Sequence, residues 1–201
     1  MFIKICGCRR PEDVAAAAEA GADAVGINLV PGRRRSLARE AAARVRAAVP
    51  GGVLAAGIFL DQPLEEVLAW ADALELDAVQ LHGREPQEYV DRVRARYRVL
   101  RAWNLEPPRP AADWLLVEPG AGADGGSGEG WDWGRARGQG GGTPLVLAGG
   151  LTPENVAAAC DRARPDGVDV ASGVEVEGNK DPGRIARFCA AVRAWEAGQG
   201  G

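Results

Sequence analysis

Short apolar segments alternate with longer amphipathic segments along the whole of this 201-residue chain. The apolar segments have the length of buried strands, and the longer ones repeat apolar side chains at helical spacing, as at Leu64, Val67 and Ala71. Strands that alternate with helices pair in parallel through right-handed crossovers. Eight such units of about 25 residues each favour a closed α/β barrel of the (β/α)8 (TIM barrel) class. The pattern alone leaves an open doubly wound sheet as the alternative.

The fifth unit departs from the pattern because its connecting segment is rich in proline. Pro107, Pro108 and Pro110 fall where the fifth helix belongs. Proline lacks a backbone N–H and clashes with the preceding helical turn, so it blocks a regular helix. The sequence therefore predicts a compact barrel in which helix 5 is short or missing. A chain of about 200 residues is near the lower size limit of this barrel, so residues 1–201 are predicted to form a single domain.

Composition and charge exclude several classes of function. The net charge of −4 argues against general binding of nucleic acid. No apolar run approaches the ~20 residues of a membrane span. The first residues lack the basic region and cleavage site of a secretory signal. We therefore expect a cytoplasmic protein with neither nucleic acid nor membrane as a partner.

The cysteines and the single histidine argue against a metal site. A single residue separates Cys6 from Cys8, which is tighter than the usual zinc-binding pair, and His82 is the only histidine. A disulfide framework is uncommon in cytosolic proteins, so all four cysteines are expected to be reduced thiols. Cys160 and Cys189 lie on the apolar faces of predicted helices.

Two glycine-rich turns are the candidate phosphate site. Active sites in this fold lie at the carboxyl ends of the strands, and phosphate often binds after the seventh and eighth. Gly149 and Gly150 follow the seventh predicted strand, and Ser172 and Gly173 follow the eighth. Glycine lets backbone N–H groups approach an anion closely. The same glycines could instead serve only tight turns, but two such turns side by side favour a phosphate cradle.

Two reactive side chains end predicted strands. Cys6 ends the first strand and is either a thiolate base or nucleophile or a small buried apolar side chain. Lys4 lies on the same face of that strand, and a nearby cation favours the thiolate. Glu118 ends the sixth strand and is either a general acid or a solvated loop side chain.

Three further polar features lie at or near strand ends. Asp169 lies within the eighth strand, where a buried carboxylate needs a partner or a ligand. The triplet of residues 33–35 is all arginine, and it is either solvated surface or a bidentate anchor for a carboxylate. His82 ends the fourth strand and either binds a ligand or caps the strand.

The sequence resembles the phosphoribosylanthranilate isomerase family of tryptophan biosynthesis over essentially its whole length. Each motif is weak alone, but six in order at the expected strand ends are specific. The segments are residues 4–7 (KICG), 21–26 (GADAVG), 79–83 (VQLHG), 125–128 (GGSG) with 131–133 (WDW), 148–156 (AGGLTPENV) and 168–175 (VDVASGVE).

The resemblance implies an Amadori rearrangement of a phosphosugar substrate in a (β/α)8 barrel that uses no cofactor. It makes Cys6 the general base and Glu118 the general acid, where the family usually has Asp. Asp124, in the loop that follows Glu118, is an alternative acid. It makes Arg35 the arginine that holds the anthranilate carboxylate, although Arg33 and Arg34 leave that register open by one.

The resemblance leaves other points open. His82 and Asp169 are expected to contact the substrate. The turns that contain Gly149, Gly150 and Gly173 are expected to bind its phosphate. The turn after the eighth strand has a single serine, Ser172, whereas a second serine is frequent there in the family. A homodimer and a monomer both suit the fold. Two alternatives remain: another phosphosugar enzyme of the same fold, or a barrel that binds phosphometabolites without catalysis.

Overall fold

The computed structural model describes residues 1–118 and 131–199, and its eight parallel strands close into a barrel. Each strand pairs with the next in sequence, and the last pairs with the first at Phe2–Ile5 against Gly167–Val170. This closure confirms the (β/α)8 class and excludes the open sheet. The strands are β1 Phe2–Cys6, β2 Ala24–Asn28, β3 Leu54–Phe59, β4 Ala78–Leu81, β5 Arg98–Trp103, β6 Trp114–Val117, β7 Leu145–Leu147 and β8 Gly167–Val170.

Helices cover the outside of the barrel. The first begins at Pro11, whose fixed φ suits the first helical turn, and the Asp13 carboxylate accepts hydrogen bonds from the backbone N–H groups of Arg9 and Arg10 just before it. The helices are α1 Pro11–Glu19, α2 Arg39–Ala47, α3 Leu64–Ala73, α4 Gln87–Arg94, α5 Val156–Ala163 and α6 Pro182–Ala197. None of them, in the ranges that the structure describes, is long and apolar enough to cross a membrane.

The fifth unit lacks its helix, as the prolines predict. Residues 104–113 connect β5 to β6 without any helical turn. In the sixth unit the described part of the connection holds only a short 3-10 helix, Trp133–Ala136. The helix of the seventh unit begins about one turn after Thr152 and Pro153, although a threonine followed by proline is typical of a helix start. Residues 152–155 form a turn in which Asn155 accepts a hydrogen bond from the Thr152 N–H, so the helix begins at Val156.

A small hairpin follows β8, in a segment where the sequence pattern predicts no strand. Its strands, β9 Glu175–Val176 and β10 Asn179–Lys180, pair antiparallel between β8 and α6. The hairpin stands at the carboxyl end of the barrel because it leaves from the end of β8. That a single domain spans residues 1–201 stays a prediction.

Strand alternation divides the core into two layers. Ile3 and Ile5 of β1 belong to the large cluster between barrel and helices. A smaller cluster inside the barrel contains Leu100 and Leu116. Because side chains alternate across a strand, Lys4 and Cys6 point into the barrel. The polar side chains that point inward near the carboxyl end therefore meet one another.

Candidate active site

A cavity of about 290 Å³ opens at the carboxyl ends of the strands. All five side chains predicted to act in catalysis or in binding the sugar and its anthranilate carboxylate line this cavity: Cys6, Arg35, His82, Glu118 and Asp169. They come from positions up to 163 residues apart in the sequence, between Cys6 and Asp169. Closure of the barrel is what brings them together.

Lys4 and Asp169 form a buried ion pair beneath Cys6. The Lys4 Nζ donates a hydrogen bond to Asp169 Oδ1 at 2.8 Å, and the Lys4 side chain is 1% exposed. Burial alone would lower the pKa of Lys4, but the Asp169 carboxylate and the Cys6 side chain hold that pKa above its ordinary value. Lys4 is therefore a permanent cation next to Cys6, and Lys4 is the partner that a buried Asp169 needs.

The Cys6 thiol is only partly shielded from solvent and packs against β2. A Cβ at Gly26 would lie 3.1 Å from its Sγ, so the glycine makes room for the sulfur. Burial raises the pKa of Cys6, and Asp169 adds to that rise, while Lys4, Lys180 and Arg35 oppose it. The expectation that a cation favours the thiolate gave the right direction for Lys4. The net pKa of Cys6 is nevertheless raised, because desolvation outweighs Lys4.

Glu118 is neither solvated nor isolated. It is 8% exposed, and its Oε1 lies 3.1 Å from the His82 Nε2. The other ring nitrogen, Nδ1, lies 3.2 Å from the Nε2 of Gln80. The side chain of His82 thus joins Gln80 to Glu118 at the cavity wall, so the interpretation of His82 as a strand cap is wrong.

Arg35 is fixed by a carboxylate that the sequence analysis did not single out. Its Nε and Nη2 donate to Oε1 and Oε2 of Glu175 at 2.7 and 2.9 Å. Arg34 and Lys180 donate to the same carboxylate at 2.7 and 2.9 Å. Burial would raise the pKa of Glu175, but Arg35, Lys180 and Arg34 lower it to about 2. Glu175 therefore remains ionised.

The three arginines differ in how they meet the cavity. Arg33, Arg34 and Arg35 all line it, but the side chain of Arg34 is 54% exposed and that of Arg35 only 18%. The Cδ of Arg35 also occupies the space of a Cβ at Gly7, at 2.4 Å. Arg35 is thus the better anchored of the two. The Nε and Nη2 edge of its guanidinium already binds Glu175. The predicted bidentate contact with a ligand carboxylate therefore falls to the end edge of the guanidinium, which is formed by Nη1 and Nη2.

The candidate phosphate residues lie beside this cavity, in the turns after β7 and β8, and are not among its lining residues. Gly149 and Gly150 have positive φ values of 84° and 68°, which disfavour side chains. A Cβ at Gly173 would lie 1.8 Å from the Leu151 carbonyl oxygen, so the two turns are in direct contact. Ser172 is exposed in the second turn. The adjacency that a phosphate cradle requires is present.

Other candidates lie elsewhere. Asp124, the alternative acid, falls outside the described residues. A larger cavity of about 820 Å³ lies between α4 and residues 104–111, where the fifth helix is missing, and the buried pair Glu85 and Arg101 lines it. In residues 1–118 and 131–199, no group of three or more His, Cys, Asp or Glu side chains is arranged to hold a metal ion.

Sequence reasoning missed Gln80, Glu175 and Lys180. One available signal was the rarity of lysine. Of the 24 basic residues only two are lysines, which leaves 22 arginines. Both lysines prove to be buried in ion pairs. For Gln80 the signal was its place two residues before His82, on the same face of a strand.

Comparison with known proteins connects this site to one family. The family model described as "N-(5'phosphoribosyl)anthranilate (PRA) isomerase" matches residues 3–191. An N-(5'-phosphoribosyl)anthranilate isomerase of Symbiobacterium thermophilum is 38% identical over 96% of this chain and 98% of its own. The phosphoribosyl anthranilate isomerase structure from Thermus thermophilus superposes with a TM-score of 0.86, at 38% identity over 96% of this chain and 99% of that one. A further isomerase structure, in complex with reduced 1-(o-carboxyphenylamino)-1-deoxyribulose 5-phosphate, gives a TM-score of 0.80, with 33% identity over 96% and 99% of the two chains.

Proposed function

The chain belongs to the N-(5'-phosphoribosyl)anthranilate isomerase family, and from this premise we propose how its residues carry the reaction. It is an isomerase of tryptophan biosynthesis, and it converts N-(5-phosphoribosyl)anthranilate into 1-(2-carboxyphenylamino)-1-deoxyribulose 5-phosphate by an Amadori rearrangement. The observation that carries the proposal is that Cys6 of β1 and Glu118 at the end of β6 line one cavity. A thiol and a carboxylic acid on one substrate supply the base and the acid that this reaction needs.

Glu118 is the proposed general acid. Its proton goes to the ring oxygen of the ribose, the bond from that oxygen to C1 breaks, and the nitrogen lone pair forms the protonated Schiff base. Glu118 is left as a carboxylate that accepts a hydrogen bond from His82, whose Nε2 is 3.1 Å away. Because such charge-assisted bonds are stronger than neutral ones, His82 favours the step that releases the proton.

Cys6 is the proposed general base. As a thiolate it removes the proton from C2, and the electron pair of that C–H bond neutralises the Schiff base to give an enolamine, which tautomerises to the aminoketose. Lys4 lies beneath the thiol and opposes the rise in its pKa that burial causes. Both steps are proton transfers within one substrate, so the proposed mechanism uses neither cofactor nor metal.

Substrate binding is divided between the two ends of the site. We assign the anthranilate carboxylate to the end edge of Arg35, because Glu175 holds its other edge. The phosphate is assigned to the turns at Gly149, Gly150, Ser172 and Gly173. Asp169 is assigned to a ribose hydroxyl. Its second oxygen can accept a hydrogen bond from that hydroxyl, while Oδ1 accepts one from Lys4.

Variants of Cys6 and Glu118 test the assignment. Cys6→Ser and Glu118→Gln are each expected to lower kcat by ~10²–10⁴-fold with KM largely kept, because general acid–base groups contribute that much. Turnover is followed by the loss of anthranilate-type fluorescence, and in cells by rescue of a tryptophan auxotroph that lacks this isomerase step.

Cys8→Ser is the matched control, because Cys8 is a buried thiol two residues away that lies outside the cavity lining. Its kcat should stay near that of the wild type. Near-normal turnover in Cys6→Ala would remove Cys6 from the mechanism. The cytoplasmic location stays a prediction. Sedimentation equilibrium decides between the monomer and the homodimer, both of which suit the fold.

A further inference from the structure

Gln80 is a buried side chain of the site that the mechanism above does not use. It is 2% exposed, lies on the inward face of β4 and lines the cavity. Its Nε2 lies 3.2 Å from His82 Nδ1, and its Oε1 has no hydrogen-bond partner among the described residues. A buried glutamine in such a position needs an explanation, because leaving a polar atom unpaired is costly.

The three residues Gln80, His82 and Glu118 form one chain of hydrogen bonds, and only one arrangement of protons on a neutral His82 ring suits a Glu118 carboxylate. That carboxylate has only acceptors, so His82 must donate to it from Nε2–H. In a neutral imidazole the other nitrogen, Nδ1, is then an acceptor. Nδ1 therefore needs a donor, and the amide N–H of Gln80 is that donor.

The reverse orientation of the amide is worse at both ends. With its carbonyl toward His82, Gln80 would require a proton on Nδ1, and the bare Nε2 of a neutral ring would then face Glu118. Such a nitrogen could accept the proton of a neutral Glu118 and keep it from the substrate. The flip would also place two amide N–H donors where Oε1 now lacks a partner.

We propose that Gln80 is a positioning residue for the general acid: it holds His82 in the Nε2–H tautomer, so that the proton of Glu118 resides on the oxygen that faces the substrate. This inference rests on the proposed function in assigning Glu118 as the acid. It also gives His82 a defined duty, which is to donate to Glu118 before and after proton transfer without taking its proton.

The single histidine of the chain makes the tautomer directly measurable. In uniformly ¹⁵N-labelled wild-type protein, long-range ¹H–¹⁵N correlation should show the Nε2–H tautomer of His82 in the free enzyme. Gln80→Glu presents only acceptors, so it should move the ring proton to Nδ1 or make the ring an imidazolium. Its kcat should fall by ~10–100-fold with KM changed far less, because the acid is misdirected while the substrate contacts remain.

Gln80→Met separates this role from packing, because it keeps the length of the side chain and removes the donor. It should give a mixture of tautomers and a smaller loss of kcat than Gln80→Glu. Gln62→Met is the matched control: Gln62 is a buried glutamine outside the cavity lining, bonded to the Leu29 carbonyl. It should leave both the His82 spectrum and kcat unchanged.

Two results overturn the proposal: a proton on Nδ1 of His82 in the wild-type protein, in either the Nδ1–H tautomer or the imidazolium, or wild-type tautomer and kcat in folded Gln80→Glu. The first does not depend on how any variant folds. Failure of the proposed function looks different, because full activity in Glu118→Gln would remove the acid assignment while leaving the tautomer of His82 as measured.

Discussion

Glu175 is the carboxylate on which Arg34, Arg35 and Lys180 converge, and removing its charge should release the arginine that meets the substrate. Glu175→Gln keeps the shape of the side chain and one acceptor oxygen. The bidentate pair with Arg35 is lost, so the guanidinium gains conformational freedom that substrate binding must then remove. Ordering one such side chain costs about 0.5–1.5 kcal/mol, which corresponds to a roughly 2- to 10-fold rise in KM with kcat largely kept.

The same variant has a calculable effect on stability. A pKa of about 2 in place of 4.5 corresponds to about 3 kcal/mol of folding free energy. Because the site opens to solvent, screening reduces the expected difference between wild type and Glu175→Gln to about 1–2 kcal/mol at pH 7.

The pH dependence of that difference has a definite sign. The folded-state pKa of Glu175 is lowered, so its contribution is fully present above about pH 4.5 and is lost as the pH falls through about 2. At pH 3, less than half of the difference measured at pH 7 should remain. Urea denaturation at both pH values measures it, and steady-state kinetics measures KM.

Glu177→Gln is the control, because Glu177 is an exposed carboxylate two residues further along the same hairpin. It removes the same charge without touching Arg35, and should change neither KM nor the pH dependence of stability. The reasoning is refuted if Glu175→Gln matches the wild type in KM and keeps a stability difference that is independent of pH.

Three further predictions concern stability and the phosphate turns. Lys4→Met should lower the free energy of unfolding by about 3–5 kcal/mol, because it leaves Asp169 buried without its partner. Adding Asp169→Asn should recover most of that loss. A loss below about 1 kcal/mol in urea denaturation would contradict the prediction. Gly173→Ala should raise KM and cost about 1–3 kcal/mol, because the new methyl group meets the Leu151 carbonyl; unchanged phosphate-dependent binding by calorimetry would count against the cradle. Phe188 lies in the outer core, and Phe188→Ala should lower the free energy of unfolding in urea by about 3–5 kcal/mol. The KM of the enzyme that remains folded should not change. A changed KM would show that α6 reaches the site.

Several features could be predicted from the sequence because they depend on local chemistry. Period-two alternation places Lys4 and Cys6 on one face, whatever the rest of the chain does. Proline at 107, 108 and 110 removes the fifth helix for a steric reason that acts within a turn. Repeated strand–helix units imply parallel pairing, and the end of each strand then identifies candidate site residues such as Glu118.

The contacts of those residues could not be predicted, because they join positions far apart in the chain. Glu175 meets Arg35 across 140 residues, and His82 meets Glu118 across 36. Pairings of this kind depend on strand register and on the hairpin after β8, neither of which leaves a periodic trace in the sequence.

The sequence by itself determined the barrel, its missing helix and the residue types available at the strand ends, since these follow from periodicity and local sterics. Only the tertiary structure decided the electrostatic state of the site. Burial sets the sign of the shift in the pKa of Cys6, against the effect of Lys4. Desolvation depends on how much protein surrounds a group, which is a property of the closed barrel and of no segment within it.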